Sequence, residues 1–242
     1  MSAPPGWQRG DTAATERQEC HPAATPGSAA PAGVPTPHGA ARITVHPAAE
    51  PRAVLLLGHG AGGGVGAPDL IGACHAALAL DVSVVLVEQP YRVAGRRAPA
   101  PAAQLDTAWL AVVDHVRGDL PLLFGGRSSG ARVACRTATA GGAAGVLCLA
   151  FPVHPPGRPE NDRLAELALP NVPVLVVQGE RDPFGRPEPA PGREVVLLRG
   201  DHSLKSDLPG LRTAVTSWLA GVVSGKEGQN NVIHSRGPAS PR

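Results

Sequence analysis

The chain has 242 residues, 43% of them hydrophobic, with a net charge of +2 and a pI near 8.5. That is enough apolar material for one sizeable domain, and the near balance of charge excludes a protein built around nucleic acid or an anionic membrane surface. No run reaches the ~18 consecutive apolar residues that suggest a membrane span.

Met1-Ser2-Ala3-Pro4-Pro5 carries neither a basic nor an apolar leader segment, so no secretory signal is expected. Cys20, Cys74, Cys135 and Cys148 form no C-x-x-C pair, which argues against a zinc site or any other metal. The last three sit among Ala, Val and Leu and read as small core residues in a reduced, cytoplasmic protein. Only Lys205 and Lys226 are lysine; arginine supplies the other cations.

Along the chain, residues 1–40 hold 21 Ala, Pro or Gly, and after Met1 only Trp7 and Val34 are large or branched apolar residues. Such a segment cannot bury a core, and a disordered tail is expected there and again over 224–242. One domain is expected over 41–223. Its apolar runs fall at 42–46, 53–57, 82–88, 121–124, 145–151, 173–178 and 194–198. Most are continuous Val/Leu stretches, the pattern of strands buried on both faces of a parallel sheet. Helical patterns lie between them near 69–80, 103–118, 129–140 and 207–222, with a shorter one near 161–168. In the 207–222 segment Leu208, Leu211, Val215, Trp218 and Leu219 recur on one face. The alternation predicts a doubly wound, mostly parallel α/β sheet of about seven strands, with its site at the carboxyl ends of the strands.

After 121–124 comes Gly126-Arg127-Ser128-Ser129-Gly130. G-x-S-x-G fits only with Ser128 at its centre, because the strained turn that presents a nucleophile needs small residues two before and two after it. Centring on Ser129 would put Arg127 in one of those places. A serine needs a base, and the base needs an orienting acid. The 173–178 run leads into Gly179-Glu180-Arg181-Asp182-Pro183-Phe184-Gly185, and the 194–198 run into Gly200-Asp201-His202-Ser203. The order Ser128, Asp182, His202 is that of an α/β-hydrolase sheet. Glu180 is the stronger rival to Asp182; Asp201 adjoins the histidine too closely to orient it. The oxyanion donors expected are the backbone N–H of Ser129 and that of Ala61, in the loop Gly58-His59-Gly60-Ala61-Gly62-Gly63-Gly64. The same loop spells G-x-G-x-x-G at Gly58, Gly60 and Gly63, with Glu88 ending the next strand. Gly64, Gly66 and Pro68 delay the following helix too far for a dinucleotide site.

The runs LLLGHGAGG, VEQPYRVAGRRAPAPAAQLDTAW, GGRSSGARVA, AFPVHPPGRPENDR, VPVLVVQGERDPFG and GDHSLK resemble a small α/β-hydrolase-like domain family. That family includes a testis-expressed protein and a regulatory subunit of the non-specific-lethal histone-acetyltransferase complex, and is related more distantly to dienelactone hydrolases. The resemblance spans roughly 42–222. It implies Ser128 as nucleophile, Asp182 as acid and His202 as base, with no cofactor. Dienelactone hydrolases carry a cysteine at the turn; Ser128 stands there in this chain.

The function expected is a serine hydrolase cleaving a small ester-like or acyl substrate, with neither nucleic acid nor membrane as partner. The alternative, implied by the complex subunit, is a non-catalytic hydrolase-like interaction module. Tyr91, Arg97 and His154, in loops leaving strand carboxyl ends, are substrate-binding candidates. Arg92, Arg96, Arg97, Arg158 and Arg163 suggest an anionic substrate or leaving group. The 20-residue connection 152–171 contains Pro155, Pro156 and Pro159 and leaves no room for a lid domain.

Overall fold

The computed structural model describes residues 30–225. Eight strands form one sheet: β1 (Ala32–Val34), β2 (Ala41–His46), β3 (Ala53–Gly58), β4 (Val82–Glu88), β5 (Leu122–Arg127), β6 (Val146–Leu149), β7 (Val174–Gly179) and β8 (Arg193–Leu198). Their order is β1-β2-β4-β3-β5-β6-β7-β8; the β1–β2 and β2–β4 pairs are antiparallel and all pairs from β4 to β8 are parallel. The helices are α1 (Pro68–Leu78), α2 (Pro90–Val93), α3 (Ala102–Val116), α4 (Ser129–Thr137), α5 (Leu164–Leu167) and α6 (Leu208–Ser224).

The seven expected strands are present, and β1 is added inside the stretch read as a coreless tail. Val34 pairs with Ala41 and is buried, so one branched residue beside an existing edge suffices for a short strand. Residues 1–29 and 226–242 lie outside the described residues. Helix α4 stops at Thr137, short of the expected 140, and the chain turns through Gly141 and Gly142, the latter at φ +67°.

Successive strand residues face opposite layers. Leu55 and Leu57 of β3 pack with α1 and α6, whereas Leu56 packs with α3 and α4. Val84 and Leu86 alternate in the same way with Val85 and Val87 in β4, and Leu175 and Val177 with Val174 and Val176 in β7. Both faces being covered, the strands read as unbroken apolar runs. On the α3/α4 side the Trp109 ring meets Phe124 edge to face, centroids 5.7 Å apart. Asp207 caps α6 by accepting from the Gly210 N–H at 2.9 Å.

Between β6 and β7 the chain forms only the one-turn helix α5, and among the described residues no lid domain covers the carboxyl edge of the sheet. Helix α5 is tied to α4 by charge. Arg132 binds both Glu166 oxygens, at 2.7 and 2.6 Å, and Arg136 reaches Glu166 at 3.0 Å while forking onto Asp106 of α3. Burial pushes the Glu166 carboxyl up, but Arg132 and Arg136 outweigh burial and hold it below its ordinary range. A depressed carboxylate contributes stability that is fully present above its unfolded pKa and is lost as pH falls through its folded one. Glu166→Gln should therefore cost about 2 kcal/mol at pH 7, and the gap to wild type should close below about pH 4 in urea denaturation.

Candidate active site

The carboxyl end of β5 runs into a turn on which Ser128 adopts φ 51° and ψ −109°. A non-glycine residue at positive φ is strained by about 1–3 kcal/mol and must be held by its surroundings. The restraints here are backbone on backbone. A Cβ at Gly126 would lie 2.7 Å from the Gly58 carbonyl oxygen and 3.0 Å from Gly130 Cα. A Cβ at Gly130 would run into that same Gly58 carbonyl and sit 2.9 Å from the His59 oxygen. The Ser128 N–H, meanwhile, donates to the Leu149 carbonyl at 2.9 Å. The end of β3, the turn and the start of α4 thus pack with no room for side chains at either glycine.

The three sequence-predicted side chains meet at this turn. The Ser128 hydroxyl lies 2.9 Å from His202 Nε2, and His202 Nδ1 lies 2.8 Å from Asp182 Oδ2. An ionised carboxylate only accepts, so Nδ1 carries the proton, and Nε2 of the neutral ring accepts from the Ser128 O–H. The Asp182 side chain is fully buried. Its Oδ1 accepts from the Phe184 N–H and its Oδ2 from Gln178 Nε2, both at 2.8 Å. The Phe184 ring stacks on the His202 imidazole, centroids 4.1 Å apart.

Neither rival carboxylate reaches the histidine ring. Glu180 is exposed. Asp201 accepts from the N–H and the hydroxyl of Ser203, which hold its carboxyl low and spend it on its own turn.

The expected oxyanion loop lies against the turn: a Cβ at Gly60 would be 3.5 Å from Ser128 Cβ. Ser129 opens α4, so its N–H is one of the first-turn donors without an intrahelical partner. Ala61 follows Gly60, and its carbonyl accepts from Tyr91 Oη at 3.4 Å. His59 is buried, which pushes its imidazole pKa down. It therefore stays neutral, donating from Nδ1 to the Gly60 carbonyl and accepting the Gln89 N–H at Nε2. The dinucleotide reading finds no support in this loop. Helix α1 begins only at Pro68, and Glu88 pairs with Arg42 at 3.2 Å.

Of the three substrate-binding candidates, Tyr91 backs the oxyanion loop and Arg97 is exposed. His154 belongs to the acid's surroundings: its N–H donates to the Phe184 carbonyl at 3.0 Å, and its ring packs on Gly185. A cavity of about 310 Å³ is lined by Tyr91 together with His38, Gln89, Arg96, Gln104 and Leu105. Arg163 Nη1 donates to the Pro152 carbonyl at 3.4 Å. Among the described residues no three His, Cys, Asp or Glu side chains cluster to hold a metal. None of the described helices is long and apolar enough to cross a membrane. Cys74, Cys135 and Cys148 are buried free thiols, Cys74 pushed up to about 11 by burial.

Sequence reasoning missed Gln178, Phe184 and Arg127. Gln178 is the next-to-last residue of β7, a lone amide after the apolar Val174-Leu175-Val176-Val177, and that break in the pattern was its available signal. Arg127 carries an ion pair to the buried Asp69 of α1 at 2.9 Å. Burial pushes the Asp69 carboxyl up while Arg127 opposes it.

A doubly wound sheet whose first long crossover follows β3, with a strained serine after β5 and a carboxylate and a histidine on the loops after β7 and β8, has the architecture of the α/β-hydrolase class. The chain matches the α/β hydrolase domain family over residues 51–213 and belongs to it. No curated protein matches it in sequence. Among solved structures it is similar to an α/β serine hydrolase homologue from Coxiella burnetii (TM-score 0.64, 20% identity, 78% of this chain and 97% of that one). It is also similar to a lidless α/β serine hydrolase from Xanthomonas campestris (TM-score 0.62, 21% identity, 90% and 98%). A third likeness is to a dienelactone hydrolase from Anabaena variabilis (TM-score 0.59, 15% identity, 81% and 96%). At these identities the likeness is one of fold.

The glycine packing makes a local forecast. Gly130→Ala should cost about 3 kcal/mol, since the atoms it meets are backbone and cannot step aside. Gly62→Ala, with no atom within 4 Å of its added carbon, should stay within about 0.5 kcal/mol of wild type. Urea denaturation of the two variants checks both values.

Proposed function

We propose that this protein is a serine hydrolase that cleaves ester-like acyl bonds of small substrates. The observation that carries the reading is the serine at positive φ, with its Oγ 2.9 Å from a histidine nitrogen whose partner nitrogen is 2.8 Å from a buried carboxylate. Ser128 Oγ attacks the acyl carbon as His202 Nε2 takes its proton. Asp182 keeps the ring in the Nδ1–H tautomer and stabilises the imidazolium. The N–H groups of Ser129 and Ala61 are the donors for the developing oxyanion, each worth about 3 kcal/mol in comparable sites. His202 then returns the proton to the leaving oxygen, which departs as an alcohol. A water, deprotonated by the same nitrogen, releases the acid and restores Ser128.

The alternative of a non-catalytic interaction module rests on the sequence resemblance alone. A module with no reaction to perform has no need of a strained serine aligned on a histidine–carboxylate pair.

Ser128→Ala should lower kcat on p-nitrophenyl acetate by about 10⁴-fold or more and abolish fluorophosphonate labelling with the fold intact. Ser129→Ala should keep labelling, since its contribution is a backbone N–H. Labelling that survives Ser128→Ala would overturn the assignment.

With no lid to bury a long chain, soluble acetate and butyrate esters should be hydrolysed faster than emulsified palmitate esters, with no activation at the interface. Higher turnover on the emulsion refutes this.

Arg92, Arg96 and Arg97, on the segment that carries Tyr91, favour an anionic group on the substrate. An ester bearing a carboxylate should then show the higher kcat/KM at low salt, and salt or Arg97→Ala should shrink that advantage. Equal rates for charged and neutral esters would remove these arginines from substrate recognition.

A further inference from the structure

Strand periodicity turns the Arg127 side chain away from the α3/α4 layer and toward α1, on the same face as Leu123 and Leu57. There it is 18% exposed, pairs with two separate elements through Nε and Nη2, and places Nη1 beside a third. Its Nε holds the fully buried Asp69 in the first turn of α1, at 2.9 Å. Its Nη2 donates to the His202 carbonyl at 3.3 Å. Its Nη1 lies under the oxyanion loop, where a Cβ on Gly60 would come within 2.9 Å of it and one on Gly63 within 4.0 Å. One guanidinium thus touches the loop of the base and the loop of the oxyanion donor, and is itself the chain neighbour of the nucleophile.

We infer that Arg127 is the positioning residue that sets the His202 and Ala61 loops at their distances from Ser128. The inference rests on the serine-hydrolase reading and adds a role outside the three reacting side chains. The guanidinium is planar and rigid, so its three nitrogens cannot move independently. With Nε anchored on Asp69, the positions of Nη1 and Nη2 are set by α1 and the sheet rather than by the loops. The loops therefore settle on a frame built by the core. That matters because the Gly-rich stretch Gly60–Gly64 has little side-chain packing of its own to locate Ala61. A displacement near 1 Å of a base or donor is enough to cost about 10²-fold in rate. Arginine also explains the otherwise unfavourable choice of a large cation beside the nucleophile: the side chain is a strut beneath the site, not a group facing substrate.

The test separates the fork from the charge. Arg127→Gln removes both; Arg127→Lys keeps a cation for Asp69 but offers a single point, unable to span His202 and Gly60 together. On full-length protein with p-nitrophenyl acetate, Arg127→Gln should lower kcat about 10²-fold while KM changes less than about threefold, since no substrate contact is lost. Arg127→Lys should restore the thermal midpoint to near wild type and still leave kcat down at least about tenfold. If Arg127→Gln does not fold, the lysine variant decides alone. A lysine variant with wild-type midpoint and wild-type kcat would show that only the charge pair with Asp69 matters and would overturn the inference, as would an Arg127→Gln protein with unchanged kcat. The two readings fail separately. Wild-type protein that fluorophosphonate does not label at Ser128 defeats the hydrolase reading. Wild-type labelling together with full turnover in the lysine variant defeats only the role of Arg127.

Discussion

The Gly58 carbonyl oxygen is the point on which the site is built. It ends β3 and lies where a Cβ of Gly126 or Gly130 would have to go. Because backbone packs directly on backbone, β5 can leave the sheet and enter α4 within a single strained residue, and that residue is Ser128. The same close approach lays the loop after β3 over the turn, so that a side chain on Gly60 would come into van der Waals contact with Ser128 Cβ. The strain at Ser128 persists because the parallel pairs β3–β5 and β5–β6 and the Ser128 N–H bond to Leu149 determine its place.

The acid side of the site rests on a different device. Gln178 reaches across from the end of β7 and places its Nε2 near three oxygens, those of Phe151, Gly185 and Asp182. It ties the segment after β6, the Asp182 turn and the carboxylate itself to one amide. The His154 N–H then closes the two loops by donating to Phe184, and Gly185 takes φ +89° with the His154 ring against it, where a side chain would not fit. The stretches His154-Pro155-Pro156-Gly157 and Asp182-Pro183-Phe184-Gly185 are therefore two halves of one interlocked structure. Its product is a buried carboxylate with three donors, turned toward His202.

Charge is used sparingly and mostly in the frame. Arg132 and Arg136 clamp α5 and α3 to α4, the helix that starts at Ser129; Arg127 ties the turn to α1. These pairs are half-buried, Asp69 alone being fully enclosed, and each joins a helix or loop to its neighbour.

The sequence by itself determined the architecture and the glycine frame around Ser128. Unbroken Val/Leu runs are a local record of burial on both faces, and G-x-S-x-G is a local record of a turn that tolerates no Cβ, so each is legible within a few residues. Val34 escaped because a three-residue strand beside an edge leaves no period to read. The sequence offered Ser128, Asp182 and His202 by order and placement; the tertiary structure decided whether they come within hydrogen-bond reach. Ser128 and His202 are 74 residues apart in sequence, and the sequence leaves Glu180 as a rival to Asp182. What separates Asp182, Asp201 and Glu180 is the direction in which each loop leaves its strand, one carboxylate turning inward onto Gln178, one capping its own turn and one facing solvent. The span of Arg127 from Asp69 to His202 was hidden for the same reason. A guanidinium reports its charge in the sequence, but its partners are chosen by the register of β5 between β3 and β6 and by the helix laid over them.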